Sequence, residues 1–233
     1  MAKVLVADDD PAVRDLVGVL LHSRGHDPLL ASDGITALDL WQTQPVDLAI
    51  LDIGMPHVDG LALMTTLKAA GAGPPVLLLT SRQEPVTRYQ AFSKGADDYV
   101  CKPFDPLELL LRVEALLKRT RRRPSDGVLQ AGPYTLDAGR LEFTGPDRQV
   151  SVTRSELAIL SYLFSRADNV VSAEELLHDA LRYPPGTGAP DTVHTHIRNI
   201  RHKVEADPAR PRIVASVARL GYRIATRPDA GSM

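Results

Sequence analysis

The sequence predicts an α/β domain, a doubly wound parallel sheet of five strands, followed by a smaller α+β domain. Three observations support this prediction. In residues 1–119, short apolar runs alternate with segments of helical periodicity. In residues 128–226, turn residues separate short strand-like runs, and amphipathic segments follow. Residues 120–127 are charged, contain Pro and Gly and carry no apolar side chain, which is typical of a linker, and 227–233 form a tail.

Four apolar runs in the first region predict buried strands: Lys3–Ala7, Val46–Leu51, Pro75–Leu79 and Asp98–Cys101. Segments with helical spacing alternate with them: Val13–Leu21, Ile35–Trp41, Leu61–Leu67, Val86–Phe92 and Leu107–Leu117. Asp10 and Pro11 are typical of a helix N-terminus, and Gly25 is typical of a helix end. We therefore expect five strands alternating with five helices, and a parallel sheet covered on both faces.

Composition excludes several classes of protein. Apolar residues make up 44% of the chain and charged residues 24%, so a disordered or fibrous chain is excluded. The single cysteine, Cys101, excludes an internal disulfide and fits a reducing compartment. No apolar run approaches the ~18–20 residues that span a bilayer, and the N-terminus lacks the features of a secretory signal. We expect a cytoplasmic protein.

The formal net charge of −2 hides an asymmetry between the two regions. Residues 1–119 carry 16 acidic and 11 basic side chains, whereas residues 120–233 carry 13 acidic and 16 basic ones. An acidic domain joined to a basic one suggests a nucleic-acid partner for the second. Chance variation of surface charge is the alternative, because a surplus of three positive charges is small.

Polar side chains collect at the predicted strand ends. The first strand is followed by Asp8-Asp9-Asp10, the third ends at Asp52, the fourth at Thr80, and Lys102 follows the fifth. Ligands of parallel α/β sheets bind beyond the carboxyl ends of the strands, so we expect these groups to converge. A divalent cation such as Mg²⁺ relieves the repulsion of clustered carboxylates, and a lysine suits a phosphoryl group. Asp52 is then a candidate phosphoryl-accepting nucleophile, and helix capping is the alternative role that we accept for Asp10.

Four segments resemble the receiver domain of two-component response regulators, a flavodoxin-like fold, over about residues 1–119: Lys3–Pro11, Leu51–Gly60, Leu79-Thr80 and Gly95–Phe104. The resemblance implies that Asp52 is the phosphoacceptor and that Lys102 contacts the phosphoryl group through a loop with a cis Lys102–Pro103 bond. It implies Mg²⁺ as cofactor, with four ligands: Asp8 through water, Asp9, Asp52 and the backbone carbonyl of Gly54. Thr80 and Tyr99 match the switch pair of the family.

The second region begins with turn signals across Val128–Gln149, which predict a small antiparallel sheet. Ser151 or Thr153 then caps a helix, with Glu156 completing a capping box after Thr153, and Ser172 with Glu175 repeats that pattern. Tyr183–Pro190 is a predicted loop, and a third helix starts at Asp191. Its apolar stripe is Val193, Ile197, Ile200 and Val204, and the residues expected to point outward are Thr195, Arg198, Asn199 and His202. Ile213–Ser216 and Tyr222–Ala225 predict a closing hairpin.

The segments Val193–Lys203 and Gly221–Ile224 resemble the winged helix-turn-helix domain of the OmpR/PhoB family, over about residues 128–226. The polar face of the third helix suits a major groove, where Arg and Asn are residues that contact base edges; an ordinary solvated face is the alternative. The expected DNA-binding residues are Thr192, Thr195, His196, Arg198, Asn199, Arg201, His202 and Arg219. The sequence departs from the family pattern at Asn199, where relatives often carry Arg, and at Ala218-Arg219, where the wing commonly has Arg-Gly.

The combined resemblance implies a phosphorylation-dependent DNA-binding transcriptional regulator rather than an enzyme. It implies four partners: a cognate sensor histidine kinase, promoter DNA, RNA polymerase, and a second copy of the chain once Asp52 is phosphorylated. The expected dimer interface carries charges of both signs, at Arg88, Asp97, Asp98, Glu108 and Arg112, around an apolar centre of Val86, Tyr89 and Phe92. Solvated charges or pairs within one chain are the alternative.

Two other functions remain as alternatives. An aspartyl-phosphate phosphatase would carry a second Asp two residues after the nucleophile, and Gly54 occupies that place. A receiver whose second domain binds RNA or a protein partner is distinguished by a salt titration, since groove binding to duplex DNA weakens steeply with salt.

Overall fold

The computed structural model describes residues 1–56, 59–69, 73–81, 91–121, 127–184, 187–188 and 190–226. The chain divides into two compact units, Met1–Thr120 and Arg121–Met233. In the described part of the chain, no helix combines the length and the apolar character needed to cross a bilayer.

The first unit is a five-stranded parallel sheet, as the sequence predicts. Its strand order is β2-β1-β3-β4-β5. Its strands are β1 (Lys3–Ala7), β2 (Asp27–Ala31), β3 (Leu48–Asp52), β4 (Val76–Thr80) and β5 (Asp98–Cys101). Its helices are α1 (Pro11–Ser23), α2 (Gly34–Thr43), α3 (Gly60–Ala69) and α4 (Pro106–Arg121). Residues 91–93 are also helical, and the rest of the predicted helix Val86–Phe92 lies outside the described residues.

Burial explains why the strands differ in their sequence signal. Every residue of β3 and β4 is buried, and these two strands are continuous apolar runs. The residues of β1 alternate between the two faces of the sheet, so Val4 and Val6 join one core and Leu5 and Ala7 the other. No apolar run marks β2, because this edge strand begins Asp27-Pro28 and is only partly buried.

The second unit begins with a four-stranded antiparallel sheet, β6 (Val128–Ala131), β7 (Tyr134–Asp137), β8 (Glu142–Gly145) and β9 (Arg148–Ser151). It continues with α5 (Arg154–Phe164), the short helix α6 (Ala173–Glu175) that runs into a π turn at Leu176–Ala180, and α7 (Pro190–Val204). Thr153, rather than Ser151, caps α5, and Glu156 completes the predicted capping box. The Ser172 side chain accepts the Glu175 N–H at the start of α6.

The closing hairpin, which we call the wing, consists of β10 (Val214–Val217), β11 (Gly221–Ile224) and the turn 218–220 between them. Tyr222 and Val171 exchange two backbone hydrogen bonds of 2.8 Å, which fix the wing to the segment before α6. Gly221 has a φ of +143°, and a Cβ atom there would lie 2.0 Å from the carbonyl oxygen of Val171. Only glycine fits this close approach of two backbones.

Candidate metal centre and nucleic-acid interface

Three carboxylates meet at the carboxyl edge of the parallel sheet. Oxygen atoms of Asp8, Asp9 and Asp52 all lie within 4.8 Å of one another. Asp8 and Asp52 are buried, whereas Asp9 is exposed. Asp10 does not join them, since its side chain accepts the Ala12 N–H and caps α1. The cluster therefore contains the three acids that the strand ends predict and excludes the one assigned to capping.

Lys102 completes this cluster. Its Nζ lies 2.8 Å from Asp8 Oδ2 and 3.3 Å from Asp52 Oδ1. Burial raises the pKa of Asp8, the contact with Lys102 lowers it and the charge of Asp52 raises it, and the pKa is raised overall. Burial lowers the pKa of Lys102, but Asp8 and Asp52 together outweigh burial, so this pKa is raised and the ammonium stays charged. The Lys102–Pro103 peptide bond is cis, as expected.

The donor set of the cluster fits a hard divalent cation. Asp8 Oδ2 and Asp52 Oδ1 are buried, and within the described residues neither accepts a well-aligned hydrogen bond, although the ammonium lies near both. Three carboxylates against one ammonium also leave an excess of negative charge. A divalent cation with oxygen ligands, such as Mg²⁺, would satisfy both the orphaned oxygens and the charge.

Two glycines and one arginine shape the edge around Asp52 and Asp8. A Cβ atom on Gly60 would lie 2.1 Å from the carbonyl oxygen of Asp52, so the start of α3 presses against the end of β3. At Gly54 a Cβ atom would lie 3.3 Å from Asp52 Oδ2, so the absence of a side chain keeps that oxygen accessible. The sequence did not single out Arg14, whose guanidinium donates to the carbonyl of Asp8 at 2.8 Å.

The expected switch residues lie on neighbouring strands. Thr80 ends β4 and is buried, and its carbonyl accepts the Lys102 N–H at 2.7 Å. Tyr99 lies on β5 and is half-buried, with its ring perpendicular to that of Phe92 at a centroid distance of 5.8 Å. The Thr80 backbone is thus joined to the loop that carries Lys102.

In the second unit, α7 buries more of its surface than the apolar stripe indicates. Val193, Ile197, Ile200 and Val204 are buried, as predicted. Thr192, His196 and Asn199 are also buried, so the expectation that Asn199 points outward is wrong, and these three are not on the exposed DNA-contact face. Their spacing of four and three residues forms a second stripe beside the apolar one, because a helix has 3.6 residues per turn. The buried zone is therefore wider than the hydrophobic pattern.

The exposed side chains of the predicted DNA face are Arg198 and His202, with Thr195 half-buried beside them. Arg219 is exposed at the tip of the wing, where it adopts a φ of +63°. Arg201, which the sequence places among the DNA contacts, is instead half-buried and donates to the carbonyl of Val214 and the hydroxyl of Ser216 on the wing. A helix position beside a hairpin can bind that hairpin, and the periodicity of α7 does not reveal this.

Both units match known protein families. Residues 4–114 match the response regulator receiver domain, and residues 147–224 match the C-terminal domain of transcriptional regulatory proteins. The chain is 38% identical to the "DNA-binding dual master transcriptional regulator RpaA" of Synechocystis sp., across 100% of this chain and 99% of RpaA. It is 36% identical to the response regulator MprA of Mycobacterium sp. strain KMS, across 97% of this chain and 98% of MprA.

The chain belongs to the OmpR/PhoB family of response regulators. DrrB, described as a Thermotoga maritima OmpR/PhoB homologue, superposes on this response regulator with a TM-score of 0.53 at 29% identity, over 97% of this chain and 99% of DrrB. A mutant of RitR shares the fold at a TM-score of 0.74 and 17% identity, over 96% of this chain and 99% of RitR. The relatives are transcriptional regulators rather than enzymes.

The charges expected at the dimer interface of this response regulator are largely paired within the chain. Arg112 donates to both oxygens of Asp98 at 3.0 Å and to Glu108 at 2.6 Å. The Asp97 carboxylate binds Lys68 at 2.7 Å and the Val76 N–H at 3.0 Å.

Asp97 and Asp98 are fully buried, so the expectation that they face a second copy is wrong. A buried carboxylate needs a partner of its own chain, and these two have one. Phe92 is buried as well, and Arg88, Val86 and Tyr89 lie outside the described residues.

Proposed function

We propose that this response regulator is a phosphorylation-controlled, DNA-binding transcription factor. A sensor histidine kinase donates the phosphoryl group, and the phosphorus–nitrogen bond of the kinase phosphohistidine breaks as a bond to an Asp52 carboxylate oxygen forms. The observation that supports this proposal is the placement of Asp52 at the end of β3, within 4.8 Å of two carboxylates and 3.3 Å from an ammonium. A carboxylate so placed is a nucleophile beside an ammonium that offsets the charge of the incoming phosphoryl oxygens, and beside two carboxylates that can hold a divalent cation.

The residues around Asp52 would divide the work between them. Asp8, Asp9, Asp52 and the backbone carbonyl of Gly54 would hold Mg²⁺, which supplies positive charge to phosphoryl oxygens when it is bound. Lys102, with its raised pKa, supplies a permanent second positive charge. Gly60, which has no Cβ atom, allows the start of α3 to pack against the carbonyl of Asp52.

The phosphorylated state would pass to the second domain through a changed surface of the receiver. Thr80 and Tyr99 serve as the switch pair, and the phosphorylated chain dimerises through a face formed by the stretch 86–119. The receiver spans 1–119, residues 120–127 connect it to the DNA-binding domain at 128–226, and the tail is 227–233. DNA contacts come from Thr195, Arg198 and His202 on α7 and from Arg219 on the wing. The regulator acts in the cytoplasm, on promoter DNA and together with RNA polymerase.

Two assays test this function. Radiolabelled acetyl phosphate should label the wild type, and Asp52→Asn should carry no label. The affinity of the full chain for duplex DNA should fall steeply as salt rises, because basic side chains displace counterions from phosphates. Label retained on Asp52→Asn would contradict the phosphoacceptor assignment. Binding to RNA or protein with no salt-dependent binding to duplex DNA would contradict the output assignment.

Dimerisation is tested by sedimentation of the wild type with Mg²⁺ and with or without beryllofluoride, an analogue of the phosphoryl group. We expect a monomer without the analogue and a dimer with it. A monomer under both conditions would contradict the proposed dimer.

A further inference from the structure

The guanidinium of Arg201 donates hydrogen bonds to the wing. Its Nε donates to the carbonyl oxygen of Val214 at 2.9 Å, and its Nη2 donates to the same oxygen and to Ser216 Oγ, both at 2.8 Å. Its Cζ also lies 5.7 Å from the ring centroid of Tyr222 on β11. Three of the five N–H groups of an arginine are therefore committed to the hairpin.

Glu205 binds backbone N–H groups at the start of the same strand, whereas Arg201 binds a backbone carbonyl. Its buried carboxylate accepts the backbone N–H groups of Arg212 and Ile213 at 2.9 Å and of Val214 at 2.8 Å. Glu205 directly follows the last residue of α7, and its N–H donates to the carbonyl of Arg201 at 2.9 Å. Arg201 binds the carbonyl of Val214 and Glu205 binds its N–H, so the last turn of α7 and the residue after it hold both backbone polar groups of the first residue of β10.

The direction of β10 at Val214 sets the position of the wing tip. The hairpin pairs Val214 with Ile224 and Val217 with Gly221, and Leu220 N–H closes the turn onto the Val217 carbonyl at 3.0 Å. Arg219 lies in this closed turn with a φ of +63° and an exposed side chain. A short, fully paired hairpin transmits a change of angle at its base to its tip.

We propose that Arg201 is a positioning residue that places the wing-tip Arg219 on DNA, and that it is not itself a DNA contact. This inference rests on the proposed function, because it assumes that α7 and the wing bind duplex DNA together. Arg201 joins α7, which contacts the DNA in the proposed function, to the wing. Once the contacts of Arg201 are removed, Val171 and Glu205 still hold the base of the hairpin, and Arg219 keeps its charge but shifts from its position.

The test is a double-mutant cycle on the full chain with Mg²⁺ and beryllofluoride. The probe is a 30-base-pair duplex, selected by the wild type from a pool with a randomised centre. Arg219→Ala should weaken binding about tenfold and lower the slope of log K against log salt by about one. Arg201→Ala should weaken binding and lower the slope by the same amounts. The Arg201→Ala/Arg219→Ala double variant should lose no more affinity than either single variant. Arg198→Ala is the matched control on the same helix, and its loss should multiply with that of Arg219→Ala to about a hundredfold.

Arg201→Lys separates this role from a phosphate contact. The lysine keeps the positive charge but cannot bridge Val214 and Ser216 as a guanidinium fork does. The variant should therefore bind as weakly as Arg201→Ala and should also be insensitive to Arg219→Ala.

Three results would overturn the inference while leaving the proposed function intact. The first is a loss of affinity near a hundredfold in the Arg201→Ala/Arg219→Ala double variant, with the slope of log K against log salt lowered by about two. The second is wild-type affinity in Arg201→Ala, and the third is wild-type affinity in Arg201→Lys. A wild type that binds no duplex with steep salt dependence would overturn the proposed function, and this inference with it.

Discussion

The carboxyl edge of the parallel sheet and the joint between α7 and the wing hold their functional side chains in different ways. At the sheet edge, Asp8, Asp52 and Lys102 lie at the ends of separate strands, and backbone pairing between those strands brings them together. At the joint, Arg201 on α7 and Glu205 just after it bind the backbone at the base of a hairpin. The first arrangement depends on main-chain geometry, and the second on two side chains. We therefore expect the two regions to fail for different reasons.

The largest effect is expected on the stability of the first unit, when the side chain of Arg112 is removed. Arg112→Ala leaves the buried Asp98 carboxylate without its two-point partner, and breaking a buried pair in this way costs ~3–5 kcal/mol. Denaturant unfolding of the full chain should show this loss in the transition of the first unit.

Glu108→Gln is the matched control, since this partner of Arg112 is 44% exposed and should cost less than ~1 kcal/mol. Equal costs for the two variants would show that the Asp98 pair is not the stabilising one.

Metal binding is expected to have the next largest effect. Mg²⁺ bound only to the folded state should stabilise the first unit by ~2.7 kcal/mol at a hundredfold excess over its Kd. Melting with and without millimolar Mg²⁺ measures this gain. Asp9→Asn removes one exposed carboxylate of the cluster, and it should reduce the gain without unfolding the protein. A melting temperature that ignores Mg²⁺ in both proteins would count against a metal centre.

A backbone change at the sheet edge comes third. In Gly60→Ala, the new methyl group meets the Asp52 carbonyl oxygen, and forcing a group into a packed site costs ~1–3 kcal/mol. Because the displaced residue is Asp52, phosphorylation by acetyl phosphate should also slow. Gly18→Ala on α1 is the control, because its new methyl group would lie 3.4 Å from a side-chain carbon of Leu30, which is an ordinary contact. If both variants accept label at the wild-type rate, the position of α3 does not govern the site.

The smallest expected effect is confined to the DNA surface and leaves stability unchanged. Arg198→Ala removes an exposed guanidinium from α7 and should cost ~1–3 kcal/mol of DNA binding if it contacts a base edge. Binding to a panel of duplexes distinguishes a base contact, which changes the preferred sites, from a phosphate contact, which weakens all sites alike. Arg140→Ala is the control, and it should change neither the preferred sites nor the affinity. The Arg140 side chain is 77% exposed and pairs with Asp137 on the four-stranded sheet. Undiminished affinity at every site in Arg198→Ala would show that α7 does not face DNA.

The same contrast explains what could be predicted from the sequence. Alternating strands and helices determine where strand ends lie, so the cluster of Asp8, Asp9, Asp52 and Lys102 follows from the order of elements. The sequence did not locate β2, because an edge strand that begins Asp27-Pro28 has no apolar run to mark it. On α7, periodicity gives the centre of the buried face but not its width, so Asn199 was placed on the wrong side. Arg201 and Asp98 were misjudged because a charged residue in a sequence does not reveal whether its partner is solvent, DNA or its own chain.

The central claim is that the chemical state of Asp52 controls DNA binding by the second domain. The most direct measurement compares the affinity of the full chain for one duplex, at one salt concentration, with and without beryllofluoride in the presence of Mg²⁺. The wild type should bind more tightly with beryllofluoride, and Asp52→Asn should bind equally under both conditions. An identical response of the two proteins to beryllofluoride would contradict the claim.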